Sequence, residues 1–130
     1  MDDMSQATDP AALAVNLGEL LRDARGVDVV VMDLRLLNGW TDFFVLATVT
    51  SSTHLSGLER HVKDFSRERG IEILRRSRKP AVGDDWCLID LGYIIVHLMT
   101  EKTRTFYELE RLWSTAPIIF GRSGGSVRTL

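Results

Sequence analysis

An α/β fold, with a mixed sheet of about five strands flanked by three helices, is predicted by three features of this 130-residue chain. Four short runs carry β-branched and other apolar residues on consecutive positions: Val27 to Leu34, Phe43 to Val49, Trp86 to Leu91 and Ile94 to Met99. The first two runs suit strands covered on both faces better than strands with one wet side. Three other segments repeat apolar residues at helical spacing, the first two beside capping and closing residues. The resulting order, helix, strand, strand, helix, strand, strand, strand, helix, belongs to a sheet with helices packed on its faces.

Each element has its local reasons. Asp9 is a good N-cap and Pro10 suits the first helical position, where its missing N–H is not needed. Leu13, Leu17, Leu20, Leu21 and Ala24 continue that helix, and Gly26 is the residue expected to close it in the left-handed conformation. The first strand ends before a turn at Asn38-Gly39. After the second strand, Thr50-Ser51-Ser52 offers hydroxyls to cap the second helix, whose apolar stripe is Leu55, Leu58, Val62 and Phe65 and whose end is Gly70. Ile71 to Arg76 reads as a short strand with Ile71 and Ile73 on one face and Leu74 on the other, followed by an exposed loop, RRSRKPAVGDD. Trp86 to Leu91 and Ile94 to Met99 are joined across Gly92 by a link so short that they must pair antiparallel. The third helix spans about Thr103 to Trp113, with Phe106, Leu109, Leu112 and Trp113 on one stripe and Tyr107 and Arg111 on a second. Residues 1–9 form an N-terminal tail, 10–117 one domain, and 118–130 a glycine- and serine-rich flexible tail in which Ile118 to Phe120 are apolar enough to dock on the body.

Composition narrows the function classes. With 45% apolar and 26% charged residues the chain has the make-up of a water-soluble globular domain, and no run reaches the roughly 18 apolar residues of a membrane span. The acidic, polar start MDDMSQATDP is unlike a secretory or transit peptide, and the single cysteine, Cys87, leaves no internal disulfide, so a cytoplasmic location without membrane contact is expected. The net charge of -2 hides an asymmetry: residues 60–79 carry eight basic residues against three acids. Arg75, Arg76, Arg78 and Lys79 are the part of this segment that could meet RNA phosphates, although a solvated face is the commoner explanation.

A search for catalytic or cofactor chemistry finds incomplete sets. The strand-helix junction Thr48-Val49-Thr50-Ser51-Ser52 has no glycine with which to surround a phosphate, and GRSGGS at 121–126 lacks the lysine and the following helix. His54 and His61 are seven apart, without a third metal ligand at hand, and Ser51 and Ser52 sit at a helix cap, not in a nucleophile elbow. Asp90, beside a glycine turn, could serve a magnesium-dependent nucleotidyltransferase, but such a site needs a second carboxylate and only distant Asp33 is available. No cofactor, metal or catalytic residue is therefore assigned.

A surface reading remains. Alternation along the fourth strand puts Trp86, Leu88 and Asp90 on one face and Cys87, Ile89 and Leu91 on the other. The second set is core. The first combines an aromatic anchor with a polar group able to fix register, as at interface hot spots, although Trp86 is equally readable as a core residue under a helix. His97 shares its face with Ile95 and Met99 and reads as a hydrogen-bonded core histidine.

Taken in order, Asp42-Phe43-Phe44-Val45-Leu46-Ala47-Thr48, Thr50-Ser51-Ser52, Trp86-Cys87-Leu88-Ile89-Asp90, Val96-His97 and Phe106 to Trp113 resemble the ribosomal silencing factor family, RsfS or Iojap-like proteins, over residues 10–117. The resemblance implies a nucleotidyltransferase-like fold without the catalytic residues, and no enzymatic activity. It also implies a translational repressor that binds ribosomal large-subunit protein fourteen and sterically blocks subunit joining under nutrient limitation. The implied contact surface is Trp86, Leu88 and Asp90 with Tyr107 and Arg111, with self-association of the free protein as a further implication. Separately from the resemblance, the basic segment Arg75, Arg76, Arg78 and Lys79 is open to direct RNA binding or to assisting ribosome docking through rRNA contact. Leu91, Tyr93 and Val49 depart from the family pattern, where an aromatic, an aspartate and a glycine are usual. Tyr93 therefore bears on the polar detail of the interface.

Overall fold

The computed structural model describes residues 9–37, 41–81, 84–107 and 115–121, with backbone alone at 78–81, 84, 85, 106 and 107. Helices α1 (Pro10–Asp23), α2 (Ser52–Glu68) and α3 (Glu101–Tyr107) accompany strands β1 (Val27–Asp33), β2 (Phe43–Val49), β3 (Arg75–Ala81), β4 (Asp84–Asp90), β5 (Ile94–Thr100) and β6 (Ile118–Phe120), and Arg35–Leu37 forms one 3-10 turn. The strands make a single sheet in the order β3-β4-β5-β2-β1-β6. Only the β2–β5 pair is parallel among these neighbours. That pair joins two antiparallel halves, so the sheet is mixed, as expected, but six strands wide.

The helix caps follow the sequence closely. Asp9 accepts from Ala11 N at 3.1 Å ahead of Pro10, and Ser51 accepts from His54 N at 3.0 Å. Both long helices close with the same paired hydrogen bonds: Arg25 N to Arg22 O and Gly26 N to Leu21 O in α1, Gly70 N to Arg67 O and Ile71 N to Ser66 O in α2. In α2 the left-handed residue is Gly70, at φ 67°. In α1 it is Arg25, at φ 75°, not Gly26. Gly26 is needed for a different reason, since a Cβ there would lie 2.8 Å from the Leu21 carbonyl oxygen.

Two further expectations are corrected at the sheet edges. Ile71 to Leu74 are not a strand: Ile71 and Ile73 pack on the core and Leu74 is exposed, in irregular backbone, and the ladder starts only where Arg75 meets Asp90. The polar run that reads as a loop is therefore β3, paired with β4 through Ala81↔Asp84. Charged residues and Pro80 are tolerated there because an edge strand leaves one row of backbone groups free and gains from residues that discourage pairing with another chain. At the other edge Ile118–Phe120 docks as a strand, with Val31 opposite Phe120 and Met32 opposite Ile118. Of the third helix, Glu101–Tyr107 is described; its expected stripe of Leu109, Leu112 and Trp113 falls outside the described residues.

Apolar packing is split by the sheet. Leu13, Leu17 and Leu21 of α1 and Leu55, Leu58, Val62 and Phe65 of α2 cover Val29, Val31, Phe43, Val45, Cys87, Ile89, Val96 and Leu98. The opposite face holds a second cluster, Val30, Met32, Leu34, Phe44, Leu46, Ile95, Met99 and Ala116, with Trp86, Leu88, Leu37 and Ile118 at its margin. A buried arginine ties α3 to the sheet: Arg104 Nη1 donates to the Asp28 carbonyl and to Thr48 Oγ1, both at 2.8 Å. Asp28 sits at φ 49° in an irregular stretch of β1, so the guanidinium satisfies a carbonyl at a bulge.

Candidate docking face

Strand β4 carries the site because its period of two divides its side chains between unequal environments. Cys87 and Ile89 are fully buried under the helices, whereas Trp86, Leu88 and Asp90 are half-buried on the other face. The antiparallel register sets Trp86 opposite Met99, Leu88 opposite His97 and Asp90 opposite Ile95. The sheet thus brings together the three β4 residues that the alternation grouped, with Trp86 and Leu88 joined to the second cluster and not sealed within it.

Polar groups fix this face from beneath. The Trp86 indole N–H donates to His97 Nδ1 at 3.3 Å, and His97 meets the Phe44 ring edge-on, with centroids 4.6 Å apart at 78°. His97 is 3% exposed, and burial pulls its imidazolium down to about pKa 4, so the ring is neutral at physiological pH. Because Nδ1 accepts, the proton resides on Nε2, which has no hydrogen-bond partner among the described residues. Asp90 Oδ1 accepts from Gly92 N at 2.8 Å, and its carbonyl accepts from Leu74 N at 2.8 Å. Its carboxylate thereby holds the turn while remaining half-exposed.

The other candidates divide between this face and the opposite one, or fall outside the described residues. Arg75 is exposed and opposite Asp90, but Arg76 pairs with the buried Glu59 of α2, on the helix side of the sheet. Lys79 lies opposite Trp86 and Arg78 opposite Cys87 in the ladder, and their side chains fall outside the described residues. The side chain of Tyr107 and the whole of Arg111 do so as well. Tyr93, the departure expected to alter the polar detail of the interface, packs against the helix-side core, where burial raises its phenol above the ordinary range. Its carbonyl accepts from Asp42 N and Phe43 N, so its backbone braces the start of β2.

The two carboxylates of the nucleotidyltransferase alternative do not converge. Asp33 aligns with Phe43 and Ile94 of the helix-side core, Asp90 with Ile95 of the opposite face, and two strands separate them. Three strand spacings amount to about 14 Å, too far to share a cation. Asp33 is also held by Arg35, at 3.0 Å to Nε and 2.8 Å to Nη2, and this hydrogen-bonded pairing lowers its carboxyl below the usual range. His54 accepts from Thr50 N at 3.0 Å beside the helix cap, and among the described residues no group of three potential metal ligands occurs. No helix of the described residues is long and apolar enough to cross a membrane.

Sequence reasoning grouped Trp86, Leu88 and Asp90 but missed what orients Trp86. Its signal was the parity of Trp86, Leu88, His97 and Met99, which becomes a contact only once the β4–β5 register is known. Arg104 was missed altogether, because its partners on β1 and β2 lie 76 and 56 positions away.

Comparison with known proteins places this geometry in a lineage. A protein from Treponema pallidum (strain Nichols) named ribosomal silencing factor RsfS is 41% identical over 103 residues, covering 79% of this chain and 89% of that protein. A mouse protein named mitochondrial assembly of ribosomal large subunit protein 1 is 33% identical over 101 residues, 75% of this chain and 43% of its own length. A crystal structure of a Bacillus halodurans protein superposes with a TM-score of 0.65 at 30% identity, covering 85% of this chain and 95% of that one. The family model described as ribosomal silencing factor during starvation matches residues 7–128, and the chain belongs to that ribosomal silencing factor, or RsfS, family.

Proposed function

We propose that this protein is a cytoplasmic, non-enzymatic translational repressor that docks on the large ribosomal subunit and sterically prevents its association with the small subunit when nutrients are short. Ribosomal large-subunit protein fourteen is the proposed partner, and the face bearing Trp86, Leu88 and Asp90, to which Tyr107 and Arg111 are added by the family resemblance, is the proposed contact. The observation that carries the reading is the contrast along β4: in a strand whose alternate residues are fully buried, an aromatic and an aliphatic side chain remain half-exposed beside a carboxylate. Half-buried apolar side chains of this kind become fully desolvated when a partner covers them, which is how interface anchors contribute affinity. Family membership and the name of the mouse relative support the ribosomal large subunit as the place where this happens.

The basic strand supplies a secondary contact in this reading. Arg75 is exposed at the edge of the same sheet and, with Arg78 and Lys79, could meet rRNA phosphates; Arg76 contributes less because Glu59 neutralises it. Self-association of the free protein through the docking face is part of the same proposal, since a second copy would cover the same apolar groups. Cosedimentation with purified large subunits, followed by a subunit-joining assay, tests the proposal. Association with large but not small subunits and a dose-dependent loss of joined ribosomes is expected. A chain that neither associates nor inhibits joining contradicts it.

A further inference from the structure

Tryptophan has one polar atom, an N–H that can only donate, and a half-buried indole can turn that edge outward to a partner or inward to the protein. Here it turns inward, to His97 Nδ1. Trp86 and His97 are diagonal neighbours across the β4–β5 ladder, because Trp86 is opposite Met99 and His97 opposite Leu88. Phe44 continues the diagonal: it is opposite Ile95, while His97 is opposite Leu46. Its ring meets His97 edge-on. Three adjacent strands therefore each contribute one ring, running from the fully enclosed Phe44 through His97 to the half-exposed Trp86.

We infer that His97 is a positioning residue for docking: by accepting the Trp86 indole N–H it fixes the ring in one orientation and leaves only hydrocarbon edges for the partner. The inference rests on the docking reading above. A free half-buried indole samples several rotamers, and binding would have to select one; a pre-set rotamer removes that cost from association. The arrangement also explains why a polar side chain occupies a position flanked by Ile95 and Met99. Leucine would pack there, but it would leave the indole N–H without an acceptor at a protein-facing edge. Burial keeps His97 neutral and its Nδ1 lone pair available throughout the physiological range.

The wild-type protein gives the first test. Nitrogen-15 NMR of its histidines is expected to show His97 unprotonated at Nδ1 and protonated at Nε2, with the Trp86 indole proton slow to exchange; the reverse tautomer overturns the inference. His97→Leu should shift that indole resonance and weaken large-subunit binding by ~10-fold, the scale of one buried hydrogen bond. His97→Asn, which keeps an acceptor near the Nδ1 position, should recover part of the loss, and it carries the test should the leucine variant not fold. In the Trp86→Phe background, His97→Leu should cost little further affinity, as coupling through one bond requires. An equal loss in both backgrounds would mean that His97 acts through the core in general and would overturn the inference. If Trp86→Ala binds large subunits like the parent, the docking reading itself fails, and the NMR tautomer still reports whether the bond exists.

Discussion

The two faces of β4 are made from alternate residues of one short strand, yet they have opposite relations to water. On the helix side, Cys87 and Ile89 lose all exposure beneath the helix-side core; on the other, Trp86 and Leu88 stop half-way, with Asp90 beside them. Both faces carry apolar side chains, so hydrophobicity alone does not separate them. Completeness of cover does. A face that is apolar, partly sealed and held in shape by hydrogen bonds from below is the basis on which docking is proposed there.

The contrast is sharpened most by removing bulk from its sealed side. Ile89→Ala deletes methyl groups from a fully buried site and should lower unfolding stability by about 4 kcal/mol in a denaturant titration. The same titration on Leu88→Ala should show a clearly smaller loss, because its site can already be reached by water. Equal losses would remove the distinction between the faces.

Acid addresses the polar support of the open face. Native His97 takes up its proton only near pH 4, whereas an exposed histidine does so near 6.5, so as pH falls the unfolded chain binds the proton first. Stability contributed by the neutral buried ring is therefore fully present above about pH 6.5 and is lost progressively towards pH 4, by about 3 kcal/mol in all. Comparing unfolding midpoints of parent and His97→Leu across this window should show that the variant lacks that component of the slope. An unchanged slope would mean that His97 is hydrated and not enclosed.

The smallest effect concerns neither face but the geometry that sets them. Arg25 closes α1 at φ 75°, where a Cβ is strained, while Gly70 closes α2 at φ 67°. Arg25→Gly should therefore raise the melting temperature slightly, corresponding to roughly 0.5–1 kcal/mol. The matching change Gly70→Ala should lower it by a similar amount.

What could be read from the sequence follows from the range of the forces involved. Caps at Asp9 and Ser51, the Gly70 closure and the strands β1, β2, β4 and β5 are written in neighbouring residues, and they appear where the pattern put them. Strand β3 is not legible, because RRSRKPA has no strand character of its own and is ordered by pairing with β4. The grouping of Trp86, Leu88 and Asp90 needs only the period of two and was legible. The His97 acceptor, the Arg76–Glu59 pair and the Arg104 clamp depend on register and on the stacking of helices over the sheet, and no local pattern encodes them. Asp33 and Asp90 illustrate the same point in reverse: adjacent as ideas in the sequence, they end on opposite faces.

The claim that the open face of β4 is the docking surface meets its most direct test in a matched pair of variants, Leu88→Ala on that face and Arg60→Ala on the exposed side of α2. Both should remain folded, and affinity for purified large ribosomal subunits is then measured by cosedimentation. A loss of ~10-fold for Leu88→Ala with near-parental binding by Arg60→Ala is the predicted result, on the scale of one interface anchor. Parental binding by Leu88→Ala, or a larger loss from Arg60→Ala, would contradict it.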